Sequence, residues 1–535
     1  MQHETDPGVE ERRATSEPDT SQAAPAMVDG VRSRRRMLAQ AARSLWAAPL
    51  VAATGHAQQG STQLSGRQAA EPLPEPLTKN DPTVLRALVE RLGYGFDLAL
   101  YQRAVQIGYD ALLEEQLHPE GIPDPVGDAV VANLPLLSMT SKELLDTFGV
   151  LSPIPATQLQ AATVLRAAGS SRRLFERVVG VWSDHFSIAV ANAQVALFKV
   201  SDDREVVRAH ALDTFPSMLR ASAESAAMLD YLDNTSNTVA GAQENYAREL
   251  MELHSLGVDG GYTEQDVKEV ARCFTGWTTY PIISPQYGEF LFFGLAHDNQ
   301  AKTVLGVEIP PFGGKSDGDT VLDLLANSSS TSRFIAEKLV SRLLTYDPPI
   351  AVTRRVAQTY RATGGDLRAM TREALSFPAL QAAQPWNQRK FKRPFHFAAG
   401  LLRALDANLG DGVALVERLR GMGQAPFEWG PPNGYPDSVG AWGSNLLPRW
   451  SFAIDLMDGA IPGTQVPVFP LLTKLGFPTK DDFVDALDLH LTGGRMDPSE
   501  RDVVQGYLDE QPFLSGAAIR DTVALTASSP SYQLY

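Results

Sequence analysis

Between Asn245 and Glu252 the chain reads Asn-Tyr-Ala-Arg-Glu-Leu-Met-Glu. At about 100° per residue on a helix, Asn245, Arg248, Glu249 and Glu252 project within one arc, while Tyr246, Leu250 and Leu253 share another. Two carboxylates three residues apart, flanked by an amide and a guanidinium, could ligate a divalent metal or act as an acid and a base whose pKa values proximity pushes apart. These four residues are the candidate catalytic set. The plainer reading is a wet helix face carrying an Arg248 to Glu252 ion pair, worth only about a few tenths of a kcal/mol. His254 falls on the flank of the apolar arc, so it reads as a core histidine, and Glu249-x-x-Glu252-x-His254 matches neither a di-iron nor a zinc-peptidase pattern.

A second set is loop-borne. His297 and Asp298 sit at a proposed turn with Lys302 close behind, and His185 follows Trp182 on an apolar helix. An imidazole beside a carboxylate can bind a metal or orient a substrate, so His297, Asp298 and His185 are the candidate metal ligands; the competing reading is an Asp that caps its own turn and core histidines beside aromatics. The Gly/Pro-rich segment 421–443 carries Phe427, Trp429, Tyr435 and Trp442, rings that can stack on sugar faces or pin a long loop to the core. Trp429, Tyr435, Trp442 and Lys302 are the candidate substrate-binding residues. Gly313-Gly-Lys-Ser316 lacks the leading glycine of a phosphate loop, and no dinucleotide fingerprint, Gly-x-Ser-x-Gly elbow or haem-attachment motif is written anywhere. Gly257-Val-Asp-Gly-Gly-Tyr-Thr263 lacks the spaced acids of a calcium loop and reads as a turn, with Thr263 as N-cap and Asp266 at the third helical position.

Composition narrows the partners. With 63 acidic against 47 basic residues and a formal net charge of -16 over 535 residues, the molecule repels phosphate backbones and anionic lipid surfaces, so nucleic-acid binding is disfavoured. The single cysteine, Cys273, excludes an intrachain disulfide and a zinc knuckle.

The elements that must position these residues are mostly helices. Apolar residues recur at three- and four-residue spacing over 84–92, 157–168, 172–182, 243–256, 331–344 and 393–405, while strand-like alternation is confined to 287–307, where a hairpin is expected around Asp298-Asn299. The expectation is a mainly α protein: one large multi-helical domain over 83–535 with a small β-hairpin and long Gly/Pro-rich loops. Residues 1–30 are polar and Pro-rich and read as a disordered extension. Segment 31–57 holds Ser33-Arg-Arg-Arg-Met-Leu38, a weakly apolar run and the small-residue site Gly55-His-Ala57, and it resembles a twin-arginine export signal with Met37 in place of the usual Phe. Residues 58–82 form a linker. A permanent membrane span is disfavoured because Arg43 would lie inside a barely sufficient apolar run. Periplasmic or extracellular residence follows as an expectation.

Longer phrases carry a family resemblance: Arg91-Leu-Gly-Tyr-Gly, Glu115-Gln-Leu-His-Pro-Glu, Trp182-Ser-Asp-His-Phe, Ala227-Met-Leu-Asp-Tyr-Leu-Asp-Asn234, the Asn245 to His254 segment, Gly257 to Thr263, Phe274-Thr-Gly-Trp277, His297-Asp298 with Lys302, and Gly430-Pro-Pro-Asn-Gly-Tyr-Pro-Asp437. Together they resemble the bacterial family of domain of unknown function 1800 from about Thr83 nearly to Tyr535. The resemblance implies a single exported domain, often accompanied by partners of the 1501 unknown-function family, and it brings no established reaction. The family usually writes Trp-x-Asn-His-Phe where this chain has Asp184, and often His-Pro-Ala-Met-Leu where this chain has Glu224-Ser-Ala-Ala-Met. The functional expectation is an exported hydrolase, with a divalent metal as a conceivable aid, acting on an envelope or extracellular polymer such as a polysaccharide. The alternative is a non-catalytic binding or assembly factor working with a family 1501 protein.

Overall fold

The computed structural model describes residues 37–38, 40–46 and 77–535. The Arg34-Arg35-Arg36 run, the Gly55-His56-Ala57 site and most of the expected linker lie outside the described residues. The protein is mainly α, with three small two-stranded sheets among the described residues. None of the described helices is long and apolar enough to cross a membrane.

Nine of the described helices frame the candidate sites: α1 (Pro82–Leu92), α2 (Ile154–Gly169), α3 (Arg173–His185), α4 (Asn245–Glu252), α5 (Glu264–Cys273), α6 (Ser329–Leu343), α7 (Pro394–Ala404), α8 (Leu447–Met457) and α9 (Gly516–Ser528). Apolar side chains gather in two main clusters, one built largely from residues before 384 and one from residues after 396. Helix α2 joins them. Its Leu159, Ala162 and Leu165 enter the first cluster and its Ala161, Val164 and Ala168 the second, because a helix that is apolar on two faces is satisfied only between two cores. Residues 40–46 are also helical. Leu38 and Leu45 pack into the second cluster, and the Trp46 indole donates to the carbonyl of Ser528 at 3.1 Å.

The hairpin expected around Asp298-Asn299 resolves differently. Phe290–Phe292 (β2) pairs antiparallel with the upstream strand Trp277–Thr279 (β1), in the register Trp277 to Phe292. A separate hairpin pairs Lys302–Val304 (β3) with Val307–Ile309 (β4). Its turn is Leu305-Gly306, with φ of +50° and +77°. Two successive left-handed residues give the turn whose twist matches that of the flanking strands, and the Leu305 amide is held by Asp266 Oδ1 at 2.7 Å. The third pair, Asn408–Leu409 (β5) with Thr464–Gln465 (β6), sits in the second half.

Asp266 couples this hairpin to α5. Thr263 caps that helix as the sequence indicates: its hydroxyl accepts from the Asp266 amide at 3.2 Å while the Asp266 carboxylate accepts from the Thr263 amide at 2.9 Å. Thr263→Ala is expected to cost about 1 kcal/mol of stability, measured as a lowered urea midpoint at unchanged slope. An unchanged midpoint would show that the cap contributes nothing.

Candidate functional site

The proposed catalytic arc forms, and neither cavity described below is lined by it. Asn245, Arg248, Glu249 and Glu252 lie half-buried on the outer side of α4, whose Tyr246, Ala247, Leu250 and Met251 face the core. Arg248 pairs not with Glu252 but with Glu264 at 2.8 Å and Glu244 at 3.3 Å, because Glu264 opens α5, which packs against α4. Asn245 donates to Asp233 at 3.3 Å. Partial burial, and then the Glu252 charge, raise the Glu249 carboxyl. Near it, the Tyr231 hydroxyl donates to the carbonyl of Gly430 at 2.5 Å.

The three proposed metal ligands separate. His297 is buried, with Nε2 3.1 Å from Asp317 Oδ2 and Nδ1 2.8 Å from the carbonyl of Thr275. Asp298 turns away to Arg272 at 2.7 Å. Lys302, proposed as a substrate contact, is buried too: its amine is 2.7 Å from Asp317 and 2.9 Å from the carbonyl of Gln300. His297, Asp317 and Lys302 are therefore an internal ion cluster under the β3–β4 hairpin. His185 belongs to another part of the molecule. Among the described residues no three His, Cys, Asp or Glu side chains gather so as to hold one metal ion.

The aromatic loop is mainly pinned inward. Tyr435 donates to the carbonyl of Ala425 at 2.7 Å, and Trp442 to that of Pro436 at 2.8 Å; both rings are buried. Trp429 is half-exposed and donates to Asn433 Oδ1 at 2.9 Å. Its ring lies 5.2 Å from that of Tyr435.

What the fold does assemble is a buried ion network around Asp184, at the end of α3. Asp184 Oδ2 accepts from Arg393 at 2.6 Å and from Arg342 at 3.2 Å, so the position that departs from the family pattern holds the carboxylate between two guanidiniums. Arg342 also donates to the carbonyl of Tyr435 at 3.0 Å. Gly434 packs so closely that a Cβ there would lie 2.0 Å from the Asp184 carbonyl oxygen, at a backbone φ of +72°. Arg393 reaches inward at the head of α7 and shares His396 Nε2 with Arg177 of α3, at 3.2 and 2.5 Å. Burial, and then those two guanidiniums, hold His396 well below the ordinary imidazole range, so it is a neutral acceptor. Three residues before Arg393, Lys390 pairs with Asp437 at 2.5 Å. Burial pushes the Asp437 carboxyl up, but Lys390, Arg393 and Arg342 overcome it and hold it at about 2.

Backbone pairing explains why this many cations point inward. The amides of Lys390 and Lys392 donate to the carbonyls of Tyr535 and Gln533 at 2.8 and 2.7 Å, and the Tyr535 amide returns a bond to Lys390 at 2.9 Å. In such an extended segment alternate side chains share a side, which sends Lys390 and Lys392 together into the interior; both are essentially inaccessible. No motif pattern singled out Arg177, Arg342, Lys338 or His396. The available signal was Arg389-Lys-Phe-Lys-Arg393, four cations in five residues of an acidic chain, a run that ordinarily reads as a solvated face.

Over this network lies an open cleft of about 650 Å³, lined by Arg333, Phe334, Lys338, Arg342, Tyr346 and Asp437 among others. Phe334, Lys338 and Arg342 are spaced by four on α6 and so share one face. A second, much smaller cavity of about 70 Å³ lies on the Asp184 side, behind Trp429 and Tyr435. Lys338 is the unusual member of the cleft. Its amine is 2.9 Å from His185 Nδ1, and His185 Nε2 lies 3.1 Å from the carbonyl of His254. Since Nε2 must donate to a carbonyl, Nδ1 is left as an acceptor for the amine. Burial, then Lys338 and His254, keep His185 well below the ordinary range. Burial, and then the Arg342 guanidinium, push the Lys338 amine down to about 7, with Asp184 opposing. Among the described residues Lys338 has no carboxylate within hydrogen-bonding distance, and Arg333 at the rim donates only to the hydroxyls of Ser329 and Ser330.

A family model described as protein of unknown function (DUF1800) matches residues 87–534. No curated protein and no solved structure matches the chain.

Two outcomes follow from this geometry. Gly434→Ala forces a side chain into left-handed backbone and into the Asp184 carbonyl, so it is expected to lower stability by well over ~1 kcal/mol, read by thermal melting; a neutral effect would mean that the loop does not seat on α3. In the unfolded chain the Lys338 amine keeps its proton up to the ordinary 10.5, whereas in the folded protein it loses it near 7. Between those values the unfolded chain binds more protons, so stability rises with pH there. Denaturant titrations at pH 7 and pH 9 should show this rise in the wild type and a smaller one in Lys338→Met. Equal slopes would contradict the buried amine.

Proposed function

Because the chain belongs to the DUF1800 family, whose description names no reaction, we propose its role from the cleft: it is an exported binding protein that takes an acidic saccharide unit of an envelope or extracellular polymer. The observation that carries this reading is the pairing, in one cleft, of basic side chains that lack carboxylate partners, Arg333 and Lys338, with sugar-compatible walls. Arg333 offers charge to a carboxylate, and the Lys338 amine offers polar contact beside it. Phe334 and Tyr346 offer ring faces, the Ser330 and Ser341 hydroxyls face the same space, and Asp259 and Glu337 supply rim acceptors for sugar hydroxyls. Pockets that orient ligands combine ring surface with a few convergent polar groups in this way.

The hydrolytic reading keeps one supporting observation, the Glu249 carboxyl raised by partial burial beside Glu252, since paired carboxyls in unlike environments are the arrangement acid–base hydrolysis uses. The two readings separate cleanly. Calorimetric titration with oligogalacturonate is expected to show binding that falls roughly tenfold or more in Arg333→Ala and in Lys338→Met, weakens with salt, and is unaffected by Glu249→Gln or Glu252→Gln. Chain cleavage by the wild type that both glutamine variants abolish would replace the binding role with the hydrolytic one.

A further inference from the structure

Lys338 differs from the other internal lysines in a way that salt bridging does not explain. Lys302 is matched by Asp317, Lys199 by Asp202 and Lys390 by Asp437. Lys392 is sealed over the Tyr532 ring, its amine 3.5 Å from the centroid. Lys338 has an imidazole acceptor, a 3.4 Å contact to the carbonyl of Leu253 and the Phe334 ring at 4.8 Å. The charged or titratable groups around it are His185, His254, Arg342 and Asp184, and Asp184 is already claimed by Arg342 and Arg393. Lys338 nonetheless lines the cleft. A lysine kept from a counter-ion, half-buried in the wall of a ligand space and fixed by a neutral acceptor, is placed as a nucleophile.

We infer that Lys338 is a covalent capture point for a carbonyl compound that also carries a carboxylate, of which the open-chain reducing end of an acidic sugar is the type that fits the cleft. The inference rests on the acidic-saccharide reading of the cleft and names the chemical class it takes. The nitrogen lone pair attacks the carbonyl carbon, a C–N bond forms, and the C=O π pair moves to oxygen. The two hydrogens of the amine then leave with that oxygen as water, giving a neutral imine. No oxidant or reductant enters. His185 Nδ1 lies where it can carry the proton in transit. Arg333, with only serine hydroxyls as partners at the rim, is placed to hold the carboxylate. The depressed basicity of Lys338 agrees with this geometry, since the neutral amine is the reactive form.

The test is reductive trapping on the full chain. Protein is incubated at pH 7 with glucuronate and cyanoborohydride, with glyceraldehyde as the aldehyde lacking a carboxylate and gluconate as the acid lacking a carbonyl, and adducts are mapped by peptide mass spectrometry. The expected result is an adduct at Lys338 with glucuronate, formed about tenfold faster or more than at exposed lysines such as Lys79 and Lys268, slower with glyceraldehyde and in Arg333→Ala, and absent with gluconate. Lys338→Arg should lose the adduct; where that variant does not fold, the wild-type site preference still decides. Labelling spread evenly over exposed lysines, or equal rates with glyceraldehyde, overturns the inference. Calorimetry with glucuronate and no reductant separates the two levels: binding without an adduct at Lys338 overturns the covalent step and leaves the cleft, whereas neither binding nor adduct overturns both.

Discussion

One carboxylate, Asp184, held between Arg342 and Arg393, is the interaction on which the candidate site depends. It ties the end of α3, the inner face of α6 and the head of α7 to each other, and the 430–437 loop seats against the same residue through Gly434. These segments are hundreds of residues apart in places, and no backbone ladder connects α3 to α6 or α7 there. Burying charge this way is costly. Desolvation of the ions offsets much of their attraction, so such a pair contributes little net stability over an apolar equivalent, yet removal of one partner leaves the others stranded. The arrangement therefore speaks more for a defined geometry than for a large gain in stability, and that geometry fixes Arg342, which lines the cleft.

The surplus of cation over carboxylate in this interior is the second constraint. Asp184 and Asp437 are shared among Arg342, Arg393 and Lys390. Arg177 is left with a neutral imidazole and carbonyl and hydroxyl oxygens, and Lys338 with His185. A core assembled for stability alone would not keep a long amine beside a guanidinium at the edge of open space. That imbalance is the reason the cleft, and not the half-exposed carboxylates of α4, carries the functional reading.

The helical character was legible because apolar spacing of three and four is a local property, and α4, α6 and α7 sit where it placed them. The Thr263 cap was legible for the same reason, being written in four consecutive residues. The hairpin was misplaced because alternation in 287–307 does not say which strand is the partner: Phe290–Phe292 found β1 upstream, and a Leu-Gly turn carries a weaker signal than Asn-Gly or Asp-Gly. The site was least legible. Glu249 and Glu252 share a helix arc, but nothing local says whether that arc meets a cavity. His297 and Asp298 are adjacent in sequence, and adjacent residues in extended chain point apart, one to Asp317 and the other to Arg272. The cations of 389–393 looked like surface because their burial depends on pairing with residues 533–535, a contact of long sequence separation.

Asp184, which holds Arg342 of the cleft wall, is coupled most directly to Arg393. A double-mutant cycle with Asp184→Asn, Arg393→Met and the combined variant, each unfolded in urea, measures it. If the carboxylate organises the network, the double variant should lose at least ~1 kcal/mol less than the sum of the single losses, the range seen for residues that share one ion network. Strictly additive losses would show that the two side chains are independent, and Asp184 would then not organise the network that holds Arg342.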